Sequence, residues 1–266
     1  MKIGIFDSGL GGLVIARKIF KKLPGFDYVY LGDTKNLPYG EKSQKQIYLY
    51  TKKGVEYLFK KKCELIIIAC NTASALALRK LQQNFLPKYF PNRRILGVII
   101  PTLEEADKHH KGRRMGVIAT TATINSHIYK KELLKIDKRA KIFEISAPDL
   151  VTLIESNDLK KATESLKIYL SSFQKNKVET VILGCTHYPI LKSVCSRLLG
   201  KQVSIISQDE IIPKKLKEYL NKHPELKRKL TKNRTRRFYV TKKQQNFNQV
   251  ANTLFGKTLK FKNISY

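Results

Sequence analysis

KIGIFDSGLGG, Lys2 to Gly12, states the pattern that the rest of the chain repeats. Lys2 to Phe6 reads as a short buried strand, and DSGLGG as a polar, glycine-rich junction. Beyond it Ala16, Ile19, Phe20 and Leu23 fall at i, i+3, i+4 and i+7, one face of a helix. Strand, junction, helix is the unit of an α/β protein. Working outward, YVYLG (Tyr28 to Gly32) is a second strand, and DTKNLPYGEKS leads to a helix from about Gln44 to Lys60. LIIIA (Leu65 to Ala69) is a third strand, ending at CNTAS, and ILGVI, from Ile95, is a fourth.

The pattern then begins again. MGVIA (Met115 to Ala119) precedes TTATINS and a helix, KIFEI (Lys141 to Ile145) is a further strand, and a helix is expected from about Leu159 to Gln174. TVILG (Thr180 to Gly184) ends at CTHYP before a helix, and VSII, from Val203, closes this half. Gly4 precedes Cys70 by 66 positions and Gly116 precedes Cys185 by 69, so the halves read as an internal duplication with the two cysteines in equivalent places. The fold class expected is α/β: two pseudo-symmetric three-layer α/β/α domains with mainly parallel sheets. Residues 1–97 and 208–266 are assigned to the first domain and 98–207 to the second. The tail, with a helix from about Ile211 to Leu220, the strand RRFYV and a last helix from about Gln245 to Leu254, is expected to pack back onto the first domain. Ligands of open parallel sheets bind beyond the carboxyl ends of the strands. DSGLGG, DTKNLPYG, CNTAS, ATTAT and CTHYP all fall there, which predicts one site in the cleft between the domains.

Composition narrows the function. Apolar residues make up 42% and charged residues 27% of 266, ordinary globular values with enough length for a large core. No apolar run is long enough to span a membrane, and the apolar start is broken by Asp7, unlike a signal peptide. A cytoplasmic location is expected. The formal charge of +31 invites a nucleic-acid reading, but the lysines are spread along the chain. The densest basic stretch, Lys214 to Lys243, carries no nucleic-acid-binding motif, so a generally basic surface is preferred to a nucleic-acid site.

Cys63, Cys70, Cys185 and Cys195 form no CxxC pair, which argues against a zinc ribbon or thioredoxin-like site. Cys70 and Cys185 each follow an aliphatic strand and precede a helix. The positive end of a helix dipole is expected to lower a thiol pKa and enrich thiolate. One such cysteine suggests covalent catalysis. Two in equivalent positions suggest a racemase, in which one thiolate removes the α-proton of an amino acid and one thiol returns a proton to the opposite face. Asn71, Thr72 and Thr186 offer hydrogen bonds at helix starts, and Ser8 stands among exposed backbone N–H groups. Asp7 is placed to accept from an ammonium group or to handle a proton, and His187 to assist Cys185. Cys63 and Cys195 lack this context and are read as structural. DSGLGG fits neither GxxxxGKS nor GxGxxG, and no lysine stands out for a pyridoxal Schiff base, so no cofactor and no metal are expected.

At FDSGLGG (Phe6 to Gly12), GDTKNLPYG (Gly32 to Gly40), ACNTASA (Ala69 to Ala75), GVIATTATINS (Gly116 to Ser126), LGCTHYP (Leu183 to Pro189) and FYVT (Phe238 to Thr241), the chain resembles the bacterial glutamate racemases of the aspartate/glutamate racemase superfamily. The resemblance covers nearly the whole chain. It implies a cofactor-independent enzyme that interconverts L- and D-glutamate and supplies D-glutamate for peptidoglycan; a homodimer is expected. It implies Cys70 as proton donor and acceptor on the D-isomer face and Cys185 on the L-isomer face, with Asp7 and His187 as assistants. Substrate contacts implied are Asp7, Ser8, Tyr39, Gly40, Asn71, Thr72, Thr186 and His187. Thr120 and Thr123 are expected to line the cleft, and Glu155 resembles a family acidic residue near the site. The chain departs from the family where Ala147-Pro148 precedes LVTLIE and where Ser207-Gln208-Asp209 follows the closing strand. An aspartate racemase or decarboxylase of the same superfamily, and a basic nucleic-acid-binding protein, are the alternatives.

Overall fold

A computed structural model describes residues 1–110, 114–243 and 247–265. The expected strands form, with small shifts of their ends. β1 is Lys2–Asp7, β2 Tyr28–Gly32, β3 Cys63–Ile68, β4 Arg94–Gly97, β5 Arg114–Ala119, β6 Lys141–Ser146, β7 Thr180–Gly184, β8 Ser204–Ile206, β9 Arg236–Val240 and β10 Phe261–Asn263. They make two sheets, β10-β9-β2-β1-β3-β4 and β6-β5-β7-β8, and every pairing is parallel. Residues 1–97 thus supply four strands of the first sheet and the tail two, β9 lying in register beside β2.

The duplication inferred from spacing reappears as topology. Four strands of the first sheet run β2-β1-β3-β4, and the second sheet runs β6-β5-β7-β8 in the same relative order. Cys70 and Cys185 follow the corresponding strands, β3 and β7. β1, β2, β3 and β7 are buried along almost their whole length, so they read as continuous apolar runs rather than alternating ones.

Local sequence places the helices. Ser43 accepts from the Gln46 N–H at 3.3 Å while the Gln46 side chain accepts from the Ser43 N–H at 3.1 Å, a capping box that starts the helix Gln44–Lys60 at the expected residue. Asp158 caps the helix Leu159–Lys175 by accepting from the Lys161 N–H. In the helix Gly12–Lys22 the expected face buries Ala16, Ile19 and Phe20, with Leu23 half-buried beyond its end.

Three readings are corrected. ILGVI does not run on as a strand: β4 stops at Gly97, and the chain turns into the helix Ile99–His110. The helix expected from Ile211 begins earlier, at Gln208, and runs to Lys222 with Pro213 inside it as the sixth residue, where the absent N–H leaves out one bond of the helical ladder. β10 carries too few apolar residues to register as a strand, yet it closes the edge of the first sheet beside β9. The last helix is Phe247–Phe255; its expected start at Gln245 lies outside the described residues. Among the described residues, no helix is long and apolar enough to cross a membrane.

Candidate active site

All five expected junctions lie at the carboxyl ends of the strands, and a small cavity sits where the two sets face each other. It is lined by Ser8, Leu37, Pro38, Tyr39, Gly40, Cys70, Asn71 and Thr72 from the first sheet's side. Thr120, Val151, Cys185, Thr186 and His187 line it from the second. Both sulfurs therefore border one space. Its volume is about 20 Å³. That is room for a single water, and an amino acid enters only if the walls separate.

Close approaches hold the walls together. A Cβ on Gly11 would lie 2.5 Å from Thr186 Oγ1 and 2.6 Å from His187 Nδ1, so only glycine lets this loop pass. A Cβ on Gly40 would lie 2.7 Å from the Thr120 side chain. Thr72, Thr120 and Thr123 form a triangle of hydroxyls 2.9 to 3.1 Å apart across the cleft. Thr123 thus supports the wall rather than lining it.

The two cysteines occupy equivalent places in the topology but different electrostatic surroundings. Cys70 caps the helix Asn71–Leu76: its sulfur accepts from the Ala73 N–H at 3.4 Å and donates to Ser8 Oγ at 3.3 Å. The expected lowering of its pKa by the helix start is present but loses. Burial and the negative charge of Asp7 push the Cys70 thiol up to about 12, against the smaller effects of Ser8 and the Ala73 N–H. Cys70 is therefore a thiol in this closed form, a correction to the lowered pKa expected of a cysteine at a helix start. Cys185 begins no α-helix; the chain after it forms a 3-10 turn at Tyr188–Leu191 before the helix Lys192–Leu199.

His187 stands in for the missing helix. Its Nδ1 lies 3.7 Å from Cys185 Sγ and its Nε2 2.6 Å from Glu155 Oε1. Burial works to lower its pKa, but the bonds to Cys185 and Glu155 overcome it and hold the imidazole well above its ordinary range. An imidazolium thus donates to Glu155 and faces the Cys185 sulfur. Glu155 does not line the cavity; it sits behind His187 and also accepts from the Leu10 N–H at 3.3 Å. Asp7 likewise lies beneath the cavity, accepting from the Gly9 N–H at 3.1 Å and from Thr186 Oγ1 at 3.3 Å. Its pKa is raised by burial, which outweighs the His187 charge and the N–H groups of Gly12 and Gly9.

Sequence reasoning passed over several participants. Leu37, Pro38 and Val151 supply apolar wall. Asp33 is buried and accepts from the Tyr39 hydroxyl at 2.7 Å, from the Asn36 amide and from Thr241 Oγ1, anchoring the loop that carries Tyr39 and Gly40. Its place directly after β2 was a signal available in the sequence. Cys63 and Cys195 are buried away from the cavity, and burial pushes each up to about 12, as fits structural thiols. Among the described residues, no three His, Cys, Asp or Glu side chains are grouped to hold a metal ion.

Residues 15–210 match the family model described as Asp/Glu/Hydantoin racemase. The chain belongs to the Asp/Glu/hydantoin racemase family. Among curated members of this family, the glutamate racemase of Aquifex aeolicus is 38% identical over 261 residues, which is 96% of this chain and 94% of that one. A glutamate racemase isoform from Bacillus anthracis has a crystal structure that superposes with a TM-score of 0.89 at 33% identity, covering 99% of this chain and 97% of the other. The glutamate racemase of Francisella tularensis, crystallised with D-glutamate, gives the same TM-score at 32% identity, with 99% and 97% covered. These likenesses extend over both sheets, so the racemase fold is present whole.

Proposed function

We propose that this family member is a glutamate racemase working through Cys70 and Cys185 without a cofactor. The observation that carries the reading is that both sulfurs border one cavity from opposite walls, each with its own proton-handling partner. L-Glutamate presents its α-hydrogen to Cys185. The Cα–H bond breaks, an S–H bond forms, and the electron pair delocalises into the α-carboxylate. The Cys70 S–H bond then breaks as a new Cα–H bond forms on the other face, giving D-glutamate. The reverse reaction exchanges the roles. The imidazolium of His187 faces the Cys185 sulfur at 3.7 Å, while burial keeps Cys70 protonated as the acid. Asp7, held beneath the cavity by bonds from Thr186 and the Gly9 N–H, supplies a carboxylate close to where an α-ammonium group binds. The hydroxyls of Ser8, Thr72, Thr120 and Thr186 and the amide of Asn71 offer donors to the carboxylates, and Tyr39 and Gly40 close the wall.

The reading divides the chain into one unit of residues 1–97 with 208–266 and a second of 98–207, moving apart to admit substrate. It makes the product D-glutamate for peptidoglycan, places the enzyme in the cytoplasm and takes it as a homodimer, which light scattering tests. The deciding assay incubates purified protein with each glutamate isomer in heavy water without additives. Racemisation with deuterium appearing at Cα is expected, and either Cys70→Ala or Cys185→Ala lowers kcat/KM by about 10²-fold or more. Full activity in either variant refutes the two-thiol scheme. Turnover of aspartate with none of glutamate moves the assignment to an aspartate racemase.

A further inference from the structure

Behind the cavity wall lies a closed cluster of polar side chains that the proton transfers do not use. Asn71 Nδ2 donates to Gln208 Oε1 at 2.7 Å, and Gln208 Nε2 donates back to Asn71 Oδ1 at 2.6 Å. The Tyr129 hydroxyl donates to the same Asn71 Oδ1 at 2.6 Å and accepts from Gln208 Nε2 at 3.2 Å. Gln208 and Tyr129 have no exposed surface and Asn71 has 2%. The three residues come from three separate parts of the chain. Asn71 follows Cys70 at the end of β3, Tyr129 belongs to the helix Ile128–Ile136 beside the second sheet, and Gln208 opens the helix Gln208–Lys222 that leads back toward the first.

Of the three, only Asn71 reaches the cavity. A carboxamide has two N–H donors and an oxygen with two lone pairs. Here both lone pairs of Asn71 Oδ1 are taken, by Tyr129 and Gln208, and one Nδ2 proton is held by Gln208. Rotation of the amide would break all three bonds in a buried place where water cannot replace them. The amide is thus fixed, with one N–H left for whatever fills the cavity.

We propose that Gln208 is a positioning residue: with Tyr129 it locks the carboxamide of Asn71 so that its remaining N–H is presented to a carboxylate of the bound amino acid. Gln208 touches no substrate itself. Gln208 is the middle residue of Ser207-Gln208-Asp209, where the chain departs from the family pattern. The inference rests on the glutamate racemase reading.

The test compares KM and kcat for L- and D-glutamate in the wild-type chain, Gln208→Ala, Gln208→Met, Asn71→Ala and the double variant Asn71→Ala/Gln208→Met. Met keeps the length and volume of Gln and removes only the amide, so it decides the matter if the alanine variant folds poorly. Both Gln208 variants are expected to raise KM about tenfold for each isomer, the equivalent of one hydrogen bond to a carboxylate, with kcat within about threefold. In the Asn71→Ala background, Gln208→Met is expected to change KM less than about twofold, because the residue it orients is gone. An unchanged KM in Gln208→Met, or the same tenfold rise with Asn71 already removed, overturns the proposal. A wild-type chain inert toward both isomers of glutamate sinks the racemase reading instead, whereas an active wild type with an unaltered variant sinks the lock alone.

Discussion

Replacing Glu155 by glutamine isolates the charge that keeps His187 protonated. The pair is 2.6 Å apart, and His187 is 2% exposed, so solvent screens the contact little. The glutamine amide would keep an oxygen to accept from Nε2–H and remove only the charge. A hydrogen bond to a charged group contributes about 1.5–3 kcal/mol against about 0.5–1.5 for a neutral one, a difference of about 1.3 kcal/mol between the midpoints. That corresponds to about one pKa unit for the imidazole and about tenfold in the rate of any step that needs the imidazolium. Under the two-thiol scheme this step is proton transfer at Cys185. L- and D-glutamate have equal free energy, so kcat/KM must fall by the same factor in both directions. The isotope effects need not. With Cα-deuterated substrates, the effect is expected to rise from the L side, where Cys185 does the abstracting, and to shrink from the D side. Polarimetry gives the rates, and NMR titration of His187 gives the pKa. An E155Q variant with an unshifted imidazole and unaltered isotope effects in both directions would refute the role assigned to Glu155.

Two further outcomes follow from contacts away from the sulfurs. In Gly11→Ala the added carbon meets Thr186 and His187 at 2.5–2.6 Å, so the walls cannot close and kcat/KM is expected to fall at least tenfold by polarimetry, with thermal stability changed by only about 1–2 kcal/mol. Asp27 accepts from Asn233 and from the N–H and hydroxyl of Thr235, tying the basic tail to the strand edge. Burial alone would raise its pKa, but hydrogen bonds from Thr231, Thr235 and Asn233 bring it down from 3.8 to about 2. The folded value lies below the unfolded one, so the stabilisation is complete above about pH 4 and is lost as pH falls toward 2, amounting to about 2 kcal/mol. Urea midpoints should therefore drop between those pH values more steeply in the wild type than in Asp27→Asn, by about the 2 kcal/mol assigned to Asp27; parallel curves would remove Asp27 from the account.

What the sequence made legible was whatever depended on pattern along the chain. Apolar runs located the strands, the helical stretches expected from about Gln44 and Leu159 begin where Ser43 and Asp158 cap them, and the glycine-to-cysteine spacing pointed to the duplication that reappears as a shared strand order. The site residues were legible as junctions, because strand ends on one edge must converge. Burial depth was not. Nothing in CNTAS says that Cys70 is sealed with Asp7 beneath it, and that depth is what turns the expected thiolate into a thiol. Nor does CTHYP say that a 3-10 turn replaces the helix after Cys185. The parts played by Asp33, Tyr129 and Gln208 escaped notice for a related reason: each is an ordinary polar residue in its own segment, Gln208 noted only as a departure from the family, and gains a role only from partners 6 to 137 positions away.

The inequality of the two thiols bears on how substrate binding and proton transfer are linked. Burial is the largest cause of the raised Cys70 pKa, and a cavity of about 20 Å³ must widen before glutamate enters. Widening separates the Thr72–Thr120–Thr123 hydroxyls and the Leu10–Glu155 bond, exchanges of roughly 1 kcal/mol each because water takes their place. It also hydrates Cys70, which lets its pKa fall back toward the ordinary thiol range. The imidazolium beside Cys185 depends instead on contacts within the second wall, Cys185–His187–Glu155, which opening leaves intact. Closure therefore resets the Cys70 thiol. Under the two-thiol scheme, the empty closed enzyme holds Cys70 as the acid, the state of that sulfur needed to begin from the L-isomer. Under the same scheme, starting from the D-isomer requires the proton to leave Cys70 first, and the open form is where its burial no longer opposes that loss.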